Sequence, residues 1–178
     1  ATRRKNRGLC FIKITPRHFE SNTLYDFRDL RLRTSRCVLR LRRANRQWLL
    51  TFKGPPAASL LYKSRVEIET RVENGKQLHA ILEEVGLQKV FRYDKYRTVF
   101  APRVPVRGAR GALLVLDETP VGHYLELEGP EAWIDRTAKQ LGYRREDAIT
   151  ASYAALYRNH CEARGKVPAD MVFKTRGD

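Results

Sequence analysis

The stretch Tyr124-Leu125-Glu126-Leu127-Glu128-Gly129 alternates charge with leucine at a period of two. Successive side chains of a β-strand point to opposite faces. Glu126 and Glu128 therefore share one face, and Leu125 and Leu127 the other. Three more stretches repeat the design: Val38-Leu39-Arg40-Leu41-Arg42, Val66-Glu67-Ile68-Glu69-Thr70-Arg71 and Lys95-Tyr96-Arg97. One such strand is what an antiparallel sheet with a single wet face produces. Four of them, with arginines and glutamates on different strands, point to a closed sheet whose interior is charged and whose leucine-lined exterior is covered by helices.

Outward from these strands the chain is read as follows. Phe11-Ile12-Lys13-Ile14 is a short strand ended by Pro16, and Asn22 to Phe27 is another. Cys37–Arg43 and Gln47–Lys53 form a hairpin closed at Ala44-Asn45-Arg46. In its second arm Trp48, Leu50 and Phe52 face one way, and Thr51 and Lys53 the other. Asn74 caps a helix carrying Leu78, Ile81, Leu82 and Val85, with Gly86 just past its end. Val90 to Phe100 returns to strand, Pro102 to Gly111 is a loop, and Leu113 to Asp117 is an apolar strand ending in an acid. Pro130 opens a helix with Trp133, Ile134, Ala138 and Leu141. A last helix places Ile149, Tyr153, Leu156 and His160 on one stripe. The count is about eight short strands, mostly in hairpin order, with three helices late in the chain. This is an α+β architecture in which an eight-stranded antiparallel barrel is the closure that fits charged inner faces. The expected organisation is one domain over 1–163, with a basic arm at 1–8 and a basic tail at 164–178.

The 178 residues carry a net charge of +15, unevenly placed. Residues 1–56 hold 15 Lys/Arg against 3 Asp/Glu, and the remainder 20 against 17. A basic half calls for an anionic partner. Cys10, Cys37 and Cys161 are odd in number, without CxxC spacing, which points to a reducing, cytoplasmic setting and away from structural zinc. No apolar run reaches membrane-spanning length. There is no P-loop, GxGxxG or GxSxG, and the four histidines have no metal-site or nucleophile–base spacing.

What remains is the charged strand faces. The planar fork of arginine makes paired hydrogen bonds to phosphate. Arg40 and Arg42, with Lys53, Lys95 and Arg97, are the candidate phosphate-binding set. Asp117, Glu126, Glu128, Glu67 and Glu69 form a separate acidic set, and packed carboxylates resist ionising together unless a cation lies between them. Mg²⁺ and Mn²⁺ prefer oxygen ligands, and Mg²⁺ is usually held by one or two carboxylates plus substrate phosphates. Cations facing acids across one cavity is the division of labour that a metal–triphosphate complex needs.

In order, Leu39-Arg40-Leu41-Arg42, Leu50-Thr51-Phe52-Lys53-Gly54-Pro55, Val66-Glu67-Ile68-Glu69, Phe91 to Arg97, Leu116 to Gly122, Leu125 to Gly129 and Ile149 to Tyr153 resemble the CYTH superfamily, the triphosphate tunnel metalloenzymes. The likeness is to its bacterial class IV adenylyl cyclase-like branch, and covers about residues 18–160. It implies an eight-stranded barrel forming a tunnel, with helices outside. It also implies a triphosphate ligand with Mg²⁺ or Mn²⁺, and activities such as cyclising ATP or hydrolysing tripolyphosphate and related triphosphates. By the same resemblance Arg40, Arg42, Lys53, Lys95 and Arg97 hold phosphates, with Arg71 added from its strand face. Asp117, Glu126 and Glu128 hold metal, and Glu67 and Glu69 line the same tunnel. A homodimer is common in the family.

The family opens with a Glu-x-Glu-x-Lys strand and a helix. Here Leu9-Cys10-Phe11-Ile12-Lys13 aligns only Lys13, with Leu9 and Phe11 in place of the glutamates, so Lys13 is the remaining catalytic candidate. Three readings follow: a metal-dependent cyclase or triphosphatase, a non-catalytic polyphosphate or nucleotide binder, and an RNA-binding module that would use Tyr25, Phe27, Trp48 and Tyr62. The first is the leading expectation.

Overall fold

The structure, a computed structural model, describes residues 10–57, 64–103 and 109–174. The expected basic arm, Tyr62 and the middle of the Pro102–Gly111 loop lie outside these. Seven strands form one antiparallel sheet: β1 (Phe11–Phe27), β2 (Val38–Ala44), β3 (Gln47–Lys53), β4 (Glu67–Val72), β5 (Leu87–Pro102), β6 (Leu113–Thr119) and β7 (Gly122–Glu128). Their spatial order is β4-β3-β2-β1-β5-β6-β7. The eight-stranded closed barrel is thus corrected to a seven-stranded open sheet among the described residues, with β4 and β7 as its edges. The helices are α1 (Arg31–Thr34), α2 (Gly75–Glu84), α3 (Glu131–Gln140) and α4 (Tyr153–Glu162).

Pro16 does not end the first strand. β1 runs through it for 17 residues, and the ladder to β5 slips between Lys13 and Thr15 and again between Thr15 and His18. A proline has no N–H to give, so the ladder absorbs it in an irregularity rather than stopping. The β2–β3 turn is shorter than the expected Ala44-Asn45-Arg46: Ala44 pairs with Gln47, and the two residues between, Asn45 and Arg46, are both at positive φ (46° and 67°). The sequence reading missed α1, which hangs on the 2%-exposed Asp26. Asp26 Oδ1 accepts the Phe27 and Leu32 N–H groups, and Oδ2 accepts that of Arg33.

The leucine face is packed under α2 at β2 and β3, whereas Ile68 of β4 stays 63% exposed. Tyr25 and Leu41 meet Leu82 and Leu87 in one cluster, with Trp48, Leu50 and Leu78 against it. The N-cap of α2 is Asn74, whose side chain accepts from the Lys76 and Gln77 N–H groups. Gly75 follows because a Cβ there would lie 2.0 Å from the Trp48 ring. A second cluster joins Trp133 of α3 to Ala109 and Ala112, with Leu127 and Phe11 beside it. Trp133 is 3% exposed. Trp133→Ala should therefore cost about 3–5 kcal/mol of stability in a denaturant titration. A loss below 1 kcal/mol would show that α3 is not anchored there.

Two elements depart from the expected outer shell. Ile149 lies before α4, 60% exposed, so it is not on that helix's stripe. And α4 covers the other, polar face, with Tyr153 stacked on Tyr93 and Tyr157 tilted over Phe91. The chain then returns to β5, where Met171, fully buried, bridges to Tyr93 in parallel. No helix among the described residues is long and apolar enough to cross a membrane.

Candidate functional site

Opposed residues in an antiparallel ladder share a face. The register Asn22↔Arg42, Arg40↔Thr51, Thr51↔Glu69, Lys53↔Glu67, Glu20↔Lys95 and Arg97↔Asp117 therefore lays one polar row across the sheet. The contacts follow it. Lys53 Nζ donates to Glu67 at 2.7 Å, and Thr51 Oγ1 donates to Glu69 at 2.7 Å. Arg40 donates to Thr51 at 3.1 Å, with Glu69 at 3.7 Å. Arg42 donates to Asn22 Oδ1 at 2.9 Å and to Glu20 at 3.2 Å. Lys95 Nζ lies 3.6 Å from Glu20 and donates to Asp117 at 2.8 Å. Arg97 grips Asp117 with two bonds of 2.7 and 2.6 Å and reaches Glu126 at 2.7 Å. Every one of the seven strands contributes.

The centre of the row is buried: Lys95 is 1% exposed and Asp117 0%. Burial alone would push the Asp117 carboxyl up, but Arg97 and Lys95 outweigh it and hold it far below the usual range. Glu20 is likewise raised by burial and lowered further by Arg42, Lys95 and Arg97, with a net fall. Burial lowers Lys53 against the opposing hydrogen bond from Glu67, and lowers Arg42 with the help of neighbouring Arg40. Both cations therefore gain from any further negative charge brought to the row.

Tyr153 closes the row from above. Its hydroxyl lies 2.7 Å from Asp117 Oδ2 and 2.8 Å from Glu126 Oε1, so two carboxylates converge on one point. Burial and the two acids raise its pKa strongly. A single hydroxyl proton serves only one of the acids at a time. Tyr153→Phe should lower stability by about 1.5–3 kcal/mol, as for a hydrogen bond to a charged group. It should also strengthen divalent-cation binding, since the hydroxyl no longer competes for the point. Unchanged stability and metal affinity would argue against both.

The structure gathers Arg40, Arg42, Lys53, Lys95, Arg97, Asp117 and Glu126 on this face and adds Glu20, Asn22 and Tyr153, which the sequence reading does not place there, and Thr51, which it puts on the Lys53 face without a role. Glu20-x-Asn22 carries the period-two signal, but the sequence reading starts that strand at Asn22. The five-acid metal set does not assemble. Glu67 and Glu69 sit on β4 and Glu126 on β7, opposite edges of the sheet, and the former pair with Lys53 and Arg40. Glu128 is exposed at the end of β7, facing Leu113 across the ladder. No group of three or more His, Cys, Asp or Glu able to hold a metal occurs among the described residues. Arg71 is exposed at the end of β4, opposite Leu49, and Lys13 is exposed on β1 opposite Phe100. Neither joins the row.

Two buried atoms of the row lack a hydrogen-bond partner, Glu20 Oε2 and Arg40 Nε. One is an acceptor and the other a donor, the two kinds of group that a cation and a phosphate take up. With Asp117 and Glu126 converging on one point, the donor set fits a divalent cation held by two carboxylates whose remaining ligands come from elsewhere.

Comparisons place this geometry among known proteins. A Vibrio parahaemolyticus protein provisionally called an adenylate cyclase is 19% identical, with 82% of this chain and 83% of that one covered at a TM-score of 0.64. PH1819 from Pyrococcus horikoshii is 21% identical over 85% and 88%, also at 0.64. An adenylyl cyclase candidate from Hippeastrum, described as having a dominant triphosphatase activity, is 19% identical over 86% and 85%, at 0.56. These likenesses speak to the fold. No curated protein matches the chain. The CYTH domain profile matches residues 11–153, and the chain belongs to the CYTH domain family.

Proposed function

We propose that the polar face binds the phosphate chain of a small triphosphate together with Mg²⁺ or Mn²⁺ and processes it, by hydrolysis or by adenylyl cyclase-type cyclisation. The observation that carries the reading is the row of ion pairs in which each cation already holds a carboxylate. A chelated triphosphate can replace these pairs term by term, with phosphate oxygens moving onto the cations while the released carboxylates face the metal.

In this account Arg40, Arg42 and Lys53 take one end of the chain, and Lys95 and Arg97 the other. Arginine forks fix the phosphates by paired hydrogen bonds, and Lys95 acts as a compact charge. Asp117 and Glu126 would hold the divalent ion, which supplies charge neutralisation and polarisation at phosphorus. Asn22 and Glu20 orient Arg42. Tyr153 withdraws from the two acids and leaves α4 to shield the face from water.

The groups named contact only phosphates and metal, so inorganic tripolyphosphate should be recognised as well as ATP. The test is incubation with each, plus Mg²⁺ or Mn²⁺, following orthophosphate, pyrophosphate and cyclic AMP. Phosphate release from tripolyphosphate supports the hydrolase form, and cyclic AMP with pyrophosphate the cyclase form. Saturable binding without turnover would reduce the protein to a polyphosphate binder, and no binding would remove the reading.

A further inference from the structure

The face opposite this row carries a second collection of cations in a different electrical state. A cleft of about 960 Å³ opens there between α2, the β2–β3 hairpin and the first half of β5. Arg43, Arg46, Lys76, Lys89 and Arg92 line it. On the polar face each cation has a carboxylate oxygen at 2.6–3.7 Å. Among the described residues, none of these five forms an ion pair that close, although Arg92 acts through space on Asp94, which also lines the cleft. Unpaired like charges around a low-dielectric concavity raise the local potential, and an anion relieves it.

The walls between the cations are aromatic. Phe19 lines the cleft while 42% exposed. Trp48 lines it with the Arg43 guanidinium 5.6 Å from its ring centroid. An open ring beside unpaired cations is how bases and phosphates are held together. Two carboxylates, Asp94 and Asp170, also line the cleft, so its five cations outnumber its acids. Asp170 Oδ1 is engaged by the Arg92 N–H at 2.8 Å. Asp94 is 6% exposed; burial raises its pKa, while a hydrogen bond from Ser21 and the charge of Arg92 oppose the rise. The start of α2 is already capped by Asn74, so the side chains and not the helix end make the site. The volume lies within the roughly 300–1,000 Å³ of small-molecule sites.

We propose that this cleft is a second binding site, separate from the polar row, for a nucleotide whose phosphate rests among Arg43, Lys76, Lys89 and Arg92 and whose base lies against Trp48 or Phe19. AMP is the probe, because it has a base and one phosphate but no triphosphate chain. It should quench Trp48 emission saturably in the full chain, while Trp133, buried under α3, gives a constant background. Trp48→Phe should abolish the change. The double variant Lys76→Ala/Lys89→Ala, at two exposed positions, should weaken AMP roughly tenfold or more, in line with charge-assisted hydrogen bonds. That variant should leave tripolyphosphate binding at the polar row intact, and Arg42→Ala should do the reverse. AMP binding that is absent, or that falls with Arg42→Ala, overturns the site. So does complete displacement by equimolar inorganic phosphate, which would mark a plain anion site, or a ten-nucleotide RNA binding more than tenfold tighter than AMP, which would mark a nucleic-acid surface. A Trp48 signal that persists in a protein with no tripolyphosphate binding would remove the proposed function and leave this site standing.

Discussion

Asp117→Ala should lower stability by about 3–5 kcal/mol, or the melting temperature by roughly 10 °C. Asp117 is fully buried and holds both Lys95, itself 1% exposed, and Arg97. Removing it leaves a lysine with no close anion except Glu20 at 3.6 Å. The cost arises less from the lost attraction than from a cation left in a low-dielectric interior without a partner. A paired replacement, Lys95→Met with Asp117→Leu, should recover much of the loss, because two apolar groups need no compensation. A drop below 3 °C for the single variant in thermal denaturation would mean that water reaches Lys95 and that the centre of the row is not dry.

The second large effect falls on binding. Arg40→Ala combined with Arg42→Ala should weaken tripolyphosphate about 100-fold or more, at about 1.5–3 kcal/mol for each set of charge-assisted hydrogen bonds. Arg42 is held in place by Asn22 and Glu20, and Arg40 has a buried Nε without a partner, so both are preset for an incoming anion. Lysine at the two positions should restore little, since it keeps the charge and loses the planar fork. Arg144, on an exposed turn with its side chain 77% accessible, provides the control, and Arg144→Ala should change affinity less than twofold. Equal losses at Arg144 and at the pair, read by calorimetry, would mean that binding follows net charge and not the row.

Much of this was legible in the sequence because a strand's faces follow from a period of two. Alternation puts Arg40 with Arg42, Lys53 with Thr51, Lys95 with Arg97 and Glu126 with Glu128 within their own strands. Asp117 and the shared face come from the family resemblance, and the ladder lays Arg40, Arg42, Lys53, Lys95, Arg97, Asp117 and Glu126 on that face. What alternation cannot give is position along and across the sheet. Glu128 and Arg71 have the correct parity but sit at strand ends, so the row passes them by. Glu67 and Glu69 have it too, but β4 is at the opposite edge from β7, a matter of strand order that no local pattern encodes. Pro16 misled for a different reason: a proline stops a central ladder in general, but β1 pairs only with β5 along that half and absorbs the fault as a slip. Helical spacing makes Tyr153 one position of a stripe with Leu156 and His160. Only the packing of α4 on the polar face shows its hydroxyl between two acids.

Thermodynamic linkage between metal and triphosphate decides whether the polar row binds them together. Tripolyphosphate should be titrated into the protein with Mg²⁺ present and again with it chelated, for the wild type and for Glu126→Gln, whose side chain is 35% exposed and whose loss the fold should tolerate. Mg²⁺ should tighten binding at least tenfold in the wild type, and most of this gain should disappear in the variant. Affinity indifferent to Mg²⁺, or a gain that survives the loss of Glu126 in full, would contradict it.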